Sequence, residues 1–425
     1  MIMKATACIV LLLAFVLRVS RLDHQSVWWD EGYSISISSG SLAELTAATA
    51  ADIHPPLYYY LLHFWMALAG QSEFAVRFLS VITGILLVAL LWSFGSRLIG
   101  PKLGALAALL AAISPLYVAY AQETRMYTME TLLGLGSAYA LFLLLKGKGS
   151  SRLLWAVYVA VTVLALYTDY FVAEVLLFEN VFVLGWAAYI RSKRNGHQVT
   201  GLLTQWFISQ TVVLVLYAPW LGIALSQLTG YGFGTSSTPP LLTLLTDMWH
   251  FLAVGSQVPL STDAPFLYFA AAVLVAGLFF WFLKGWHDSE GKASTVYLLS
   301  YFLIPLAGFI LALQFRPFYH PRYFLVITPS YYLLLSMALG GLWRLWVGVG
   351  ALGITGTALA AILVLNAYYS DPAFLKDDSR SAASFVQQEA REDDLVLWQI
   401  PYPLQYYYRG KAHAQFLRVD PMSTP

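Results

Sequence analysis

The chain has 425 residues, of which 59% are hydrophobic and 11% charged, with a net charge of +1. So few charges cannot cover a soluble globule of this size, and so small a net charge, carried in short loops and not in one basic patch, excludes nucleic acid as a partner. The single cysteine, Cys8, excludes an internal disulfide and a thiolate metal cluster.

Apolar runs recur along the chain, many of them long enough for a helix to cross about 30 Å of hydrocarbon. The first, 5–19, follows Lys4 and has the look of a secretory signal, but no small-x-small cleavage site precedes the polar stretch 18–24. It is read as an uncleaved first helix whose Arg18 and Arg21 snorkel towards the interface. Further spans are predicted at 74–99, 103–117, 127–145, 153–167, 171–190, 202–225, 266–283, 295–313, 324–342 and 345–367, about eleven in all. The loops holding Arg97 and Lys102, then Lys146, Lys148 and Arg152, then Arg191, Lys193 and Arg194, then Lys284 and Lys292, fall on one side. The positive-inside rule makes that side cytoplasmic, with the N-terminus, and sends the C-terminus across a plasma or inner membrane.

The long segments, 20–73, 226–265 and 368–425, then lie outside, so function is expected to face outward. Segments 41–51 and 57–68 read as interfacial helices, with Trp28, Trp29, Trp65 and Tyr58 to Tyr60 at headgroup level. Residues 230–240 read as a flexible connector. In the tail, 381–392 suits a helix and 394–399 a strand, a small α/β appendage. The fold class expected is an all-α polytopic membrane protein, 1–367, followed by that extracytoplasmic tail, 368–425.

Ionisable groups gather on the outer side. Asp30 and Glu31 follow two tryptophans; Asp52 and His54 precede Pro55 and Pro56; Glu123 and Arg125 follow Pro115; Asp169 lies between two spans, and His320 and Arg322 between two more. Single carboxylates at helix ends are commonly caps or solvated charges, but this convergence offers a base, cations for a phosphate and aromatic surface for a sugar and prenyl chain. Pro55 restricts His54 to extended backbone, and Pro56 is placed to open a helix. Asp30, Glu31, Asp52, His54 and Glu123 together could hold a divalent ion, although their spacing matches no metal signature. Glu174 and Glu179 lie deeper in a span and are either functional or paired with a neighbouring helix. Gly348, Gly350 and Gly353 match G-x-G-x-x-G but sit in an apolar span with no preceding strand, so they are packing glycines. With no Walker loop, H-E-x-x-H or G-x-S-x-G present, no nucleotide cofactor is expected.

Trp28-Trp29-Asp30-Glu31, Asp52-Ile53-His54-Pro55-Pro56-Leu57-Tyr58-Tyr59, Arg77-Phe78-Leu79-Ser80, Ser114-Pro115, Gln122-Glu123-Thr124-Arg125-Met126-Tyr127 and Arg322-Tyr323 with Pro329 resemble the GT-C membrane glycosyltransferases of family 39. That group includes protein O-mannosyltransferases and aminoarabinose transferases. The resemblance implies inverting transfer of a sugar from a polyprenyl-phosphate donor to a lipid, glycan or protein acceptor outside the membrane. It places the catalytic centre at Asp30 with Glu31 beside it, a second acidic position at Glu123, and Arg322 and Tyr323 at the donor phosphate. Asp52, His54, Arg125, Tyr127, Asp169 and His320 complete the candidate substrate-binding set, and Asp30 with Glu123 is the candidate metal pair. His54 stands where the mannosyltransferases carry His and the aminoarabinose enzymes Lys; Gln122 replaces an acidic residue of some relatives; no β-trefoil module is present. A transporter would place its site at mid-membrane in broken helices, whereas these groups gather at one face. An inactive assembly subunit with the same fold is the other alternative.

Overall fold

The computed structural model describes residues 2–148, 151–192, 196–230, 239–255, 260–285, 289–315, 319–399 and 401–416. Because lipid offers no partner for backbone N–H and C=O groups, apolar runs satisfy them internally as helices, and a helix stands at each predicted span. In chain order these are α1 (Ile2–Val19), then α2 (Trp29–Ser38), α3 (Leu42–Ala51) and α4 (Leu57–Ala69) in the first loop. There follow α5 (Glu73–Leu98), α6 (Pro101–Ala112), α7 (Pro115–Ala121), α8 (Tyr127–Leu143), α9 (Arg152–Leu166), α10 (Val172–Ser192) and α11 (Gly196–Gly230). The bundle closes with α12 (Leu241–Ala253), α13 (Leu260–Gly285), α14 (Ser289–Phe315), α15 (Thr328–Leu345) and α16 (Val347–Ser370).

By length and composition, eight of the described helical segments cross a membrane unaided, and α6 with α7, bent by 57°, makes a ninth, against the eleven expected. The difference lies in α1, of 18 residues, and α9, whose 15 residues reach only about 22 Å. The bend follows from Pro115, which has no N–H to give the Ala111 carbonyl four residues back. Arg18 takes over that role: its guanidinium donates to Ala111 O at 3.2 Å, Ala112 O at 3.1 Å and Ala14 O at 3.1 Å. The expected snorkelling of Arg18 is thereby corrected, since it is fully buried and bound to carbonyls left open at the break; Arg21 stays exposed and donates to Tyr369 O.

The buried centre of the bundle is α15, preceded by a 3₁₀ turn at Pro321–Ile327. It can be flanked closely because a Cβ on Gly341 would lie 2.1 Å from the Gly277 carbonyl oxygen of α13, which only paired glycines permit. Gly350 and Gly353 of α16 pack against Trp343 and Leu339, so the apparent nucleotide motif is a helix contact.

The interfacial helices expected at 41–51 and 57–68 appear as α3 and α4, while α2 and α12 arise in segments read as loop. Most of the connector at 230–240 lies outside the described residues. The tail forms α17 (Ser379–Glu389), β1 (Leu395–Trp398), α18 (Pro401–Tyr407) and β2 (His413–Phe416), with β1 and β2 parallel and Leu395 opposite His413. It does not stand apart from the bundle. Helix α18 packs on α2 so closely that a Cβ on Gly32 would fall 2.9 Å from the Tyr402 carbonyl carbon, and Arg380 and Tyr407 both bind Glu73 at the start of α5.

Candidate active site

Elements of the first loop, the bundle and the tail meet at one cavity. Helix α2 begins after the extended Trp28, so Asp30 and Glu31 occupy its first turn, where the helix dipole favours negative charge. Successive helix residues point about 100° apart, and the two carboxylates therefore face different ways. Glu31 turns inward: Arg77 Nε and Nη2 donate to its two oxygens, each at 2.7 Å, and the Thr124 N–H donates at 3.0 Å. Burial alone would push the Glu31 carboxyl up; the Arg77 charge, then Lys376 and these hydrogen bonds, outweigh it and hold it down at about 2. The same guanidinium binds the carbonyls of Leu22, Gln25 and Ser26, so it fixes the chain leading into α2.

Asp30 turns to a cavity of about 740 Å³ whose wall also includes Asp52, His54, Arg125, Tyr127, Asp169, His320, Arg322 and Tyr323. Arg322 Nη1 donates to Asp30 Oδ2 at 3.1 Å and to the Tyr127 hydroxyl at 2.6 Å, while its Nε donates to His320 Nδ1 at 3.1 Å. Arg125 Nη2 donates to His54 Nε2 at 2.9 Å. Both guanidiniums sit 5.6 Å from the centre of the Tyr127 ring, and Tyr323 stacks on Phe171 at 3.9 Å. Burial, reinforced by the Arg125 and Arg322 charges, pushes His54 well below its ordinary range; burial and Arg322 lower His320 to about 4, against a smaller pull from Asp30. Both imidazoles are thus neutral near pH 7. Burial raises Asp52 and Asp169. The site therefore offers two fixed cations, a partly exposed carboxylate and an aromatic wall, a combination suited to an anionic ester and a proton transfer.

Glu31 and Glu123 are the predicted residues that the cavity wall does not include. Glu123 pairs with Lys376 of the tail at 3.2 Å, and Lys376 also lies 3.6 Å from Glu31. Of the candidate metal pair, Asp30 faces the cavity while Glu123 is held by Lys376 outside its wall, and among the described residues no three His, Cys, Asp or Glu side chains are grouped to hold an ion. Gln122 uses its amide as a donor to the carbonyls of Arg18, at 3.0 Å, and Ser20, at 2.9 Å, which a carboxylate could not do. Glu179 accepts from Ser137 at 2.6 Å and Tyr158 at 2.7 Å, the paired alternative of the sequence reading; Glu174 packs against Gly308.

Sequence reasoning missed Glu130, Tyr33 and Tyr402 in the cavity wall. Glu130 carried a usable signal, a carboxylate inside an otherwise apolar span. Tyr402 carried none, because only the docking of α18 brings it against Trp29 at 5.1 Å and Tyr33 at 5.0 Å.

Comparison with known proteins shows what the chain is similar to. Residues 53–223 match the family described as dolichyl-phosphate-mannose-protein mannosyltransferase. The apo structure of ArnT from Cupriavidus metallidurans aligns at TM-score 0.65 and 14% identity, over 97% of this chain and 86% of that one. The same protein bound to undecaprenyl phosphate aligns at 0.61 and 14%, over 96% and 85%. The archaeal oligosaccharyltransferase AglB from Archaeoglobus fulgidus, in complex with an inhibitory peptide and a dolichol-phosphate, aligns at 0.60 and 12%, over 97% and 64%. No curated protein sequence matches. At these identities the structures establish the fold. The chain is thus an integral membrane protein with the fold of these proteins, and its residues 53–223, less than half of it, are similar to that mannosyltransferase family.

Proposed function

We propose that the chain transfers a sugar from a polyprenyl-phosphate donor to an acceptor hydroxyl on the extracytoplasmic face, with inversion at the anomeric carbon. The observation that carries this reading is the placement of the Asp30 carboxylate and the Arg322 guanidinium, 3.1 Å apart, on the wall of one cavity. The acceptor oxygen attacks the anomeric carbon while its proton passes to Asp30. The bond from that carbon to the phosphate oxygen breaks, and the charge left on the polyprenyl phosphate falls to Arg322, with the buried Arg125 adding to the positive field. Attack and departure on opposite sides of the carbon give the inversion. The donor class is supported by the description of the matched family and by the undecaprenyl phosphate and dolichol-phosphate bound in the neighbouring structures. The outward face is supported by the basic loops at the opposite end of the bundle, since the positive-inside rule favours the cytoplasm for them.

The test is turnover of radiolabelled polyprenyl-phosphate sugars by the purified protein in lipid. Asp30→Asn keeps the size of the side chain and removes the base, so the transfer rate should fall about 10²- to 10⁴-fold while donor affinity changes far less. Transfer by Asp30→Asn at the wild-type rate would remove Asp30 from the chemistry.

A further inference from the structure

The reaction above uses Asp30, Arg322 and Arg125, and leaves a second group of polar side chains in the same cavity without a part. Glu130, in the first turn of α8, and Asp169, in the turn between α9 and α10, are 2% and 3% exposed and face the same cavity, each carboxyl within the other's field. Two carboxyls so buried and so near each other avoid repulsion by holding a proton between them. Asp169 also accepts from the Phe171 N–H at 2.9 Å. Glu130 Oε2, by contrast, is buried and makes no hydrogen bond to any described residue. His54 completes the group: its Nε2 accepts from Arg125, so Nδ1 carries the hydrogen, and Nδ1 lies 3.8 Å from Asp169 Oδ2, beyond hydrogen-bond reach.

We propose that Glu130 and Asp169, with the Nδ1–H of His54, form a subsite that binds neighbouring hydroxyl groups of a neutral sugar carried by the donor. The inference rests on the function proposed above. Three features select hydroxyls. A phosphate would be repelled by the carboxyl pair, and an ammonium would sit in the field of Arg125 and Arg322, whose charges both reach Glu130. A hydroxyl both donates and accepts, which matches an open carboxyl oxygen beside an imidazole N–H. The spacing agrees as well. Glu130 lies three residues after Tyr127, whose hydroxyl binds Arg322, so the two side chains share one face of α8 about one helical turn, roughly 5 Å, apart. A single pyranose ring spans that distance between a phosphate on Arg322 and hydroxyls on Glu130.

The experiment measures affinities of the protein in lipid nanodiscs for sugar-free polyprenyl phosphate, for a polyprenyl-phosphate hexose, for each monodeoxy analogue of that donor and for its amino-sugar analogue. Wild type should bind the hexose donor more tightly than the sugar-free phosphate and lose about ten- to a hundredfold on two analogues deoxygenated at adjacent positions. Glu130→Gln should lose that discrimination and keep its affinity for the sugar-free phosphate, and Asp169→Asn should behave likewise. Glu130→Gln should also melt no lower than wild type, because it removes a buried carboxyl with an unmade hydrogen bond; a structural carboxyl would give the opposite result. A Glu130→Gln protein that ranks the analogues as wild type does, or that melts lower, overturns the subsite and leaves the donor reading standing. Preference of the wild type for the amino sugar overturns its assignment to a neutral sugar. Failure of the wild type to bind polyprenyl phosphate with or without a sugar overturns both readings.

Discussion

Replacing Glu31 with Gln removes a charge that is fully buried and gripped at both oxygens by Arg77. Its carboxyl is held at about 2 against an ordinary 4.5, and a difference of that size corresponds to about 3 kcal/mol of folding free energy. A second route agrees: breaking one side of a buried ion pair costs about 3–5 kcal/mol, because the partner, here Arg77, is left uncompensated. The pH dependence follows from the sign. A depressed carboxyl contributes stability that is complete above about 4.5 and lost as pH falls towards 2. Melting of wild type and Glu31→Gln in one lipid, from pH 7 to pH 3, should show the variant lower by roughly 5 °C or more at pH 7, with the gap narrowing below pH 4.5. Equal melting points at pH 7, or a gap that stays constant into acid, would refute the assignment of Glu31 as the buried anchor of α2.

Arg322→Ala should weaken donor binding about ten- to a hundredfold and lower kcat as well, since the phosphate gains charge as the bond breaks; Arg322→Lys should restore only part, lacking the guanidinium fork, and donor titrations with initial rates would measure both. Arg18→Met leaves the carbonyls of Ala111 and Ala112 without their donor, and a loss of about 2–4 kcal/mol, read as a lowered melting point, is expected. In a Cys8→Ser background, single cysteines at positions 52 and 411 should react with an impermeant maleimide in intact cells, and one at 148 only after the membrane is opened.

The spans were readable because a membrane allows an apolar run one outcome, and the position of Pro115 marks where one of them breaks. Helix α2 was not readable. Trp29–Ser38 contains Gly32 and alternates Ser with Ile, a poor helix former by propensity; it is helical because Glu31 is anchored to Arg77 and because α18 covers it, both contacts between distant parts of the chain. The same ignorance of α2 hid the division of labour between Asp30 and Glu31, since neighbours in sequence take different faces only once the helix is known. His54, Arg125 and Arg322 were legible as site residues because each stands beside a proline or at the edge of a span, where sequence restricts the backbone, and Asp52 because it leads into the same proline pair. Lys376 carried no such mark, being one of several charges in a polar tail; its place between Glu31 and Glu123 is set by the docking of that tail.

That docking has a consequence for how the molecule is made. Asp30 emerges before every span but α1, yet the helix that carries it is braced by Lys376 and Tyr402, which follow α16. Every span between them must be inserted before the brace can close. Until then the newborn chain carries Asp30 on an unbraced helix, and the cavity wall that Tyr402 completes forms only after α16 is in place. A chain cut short after α16 would leave a bundle in the membrane with an unbraced α2, so the docking of Lys376 and Tyr402 marks molecules whose spans are all in place.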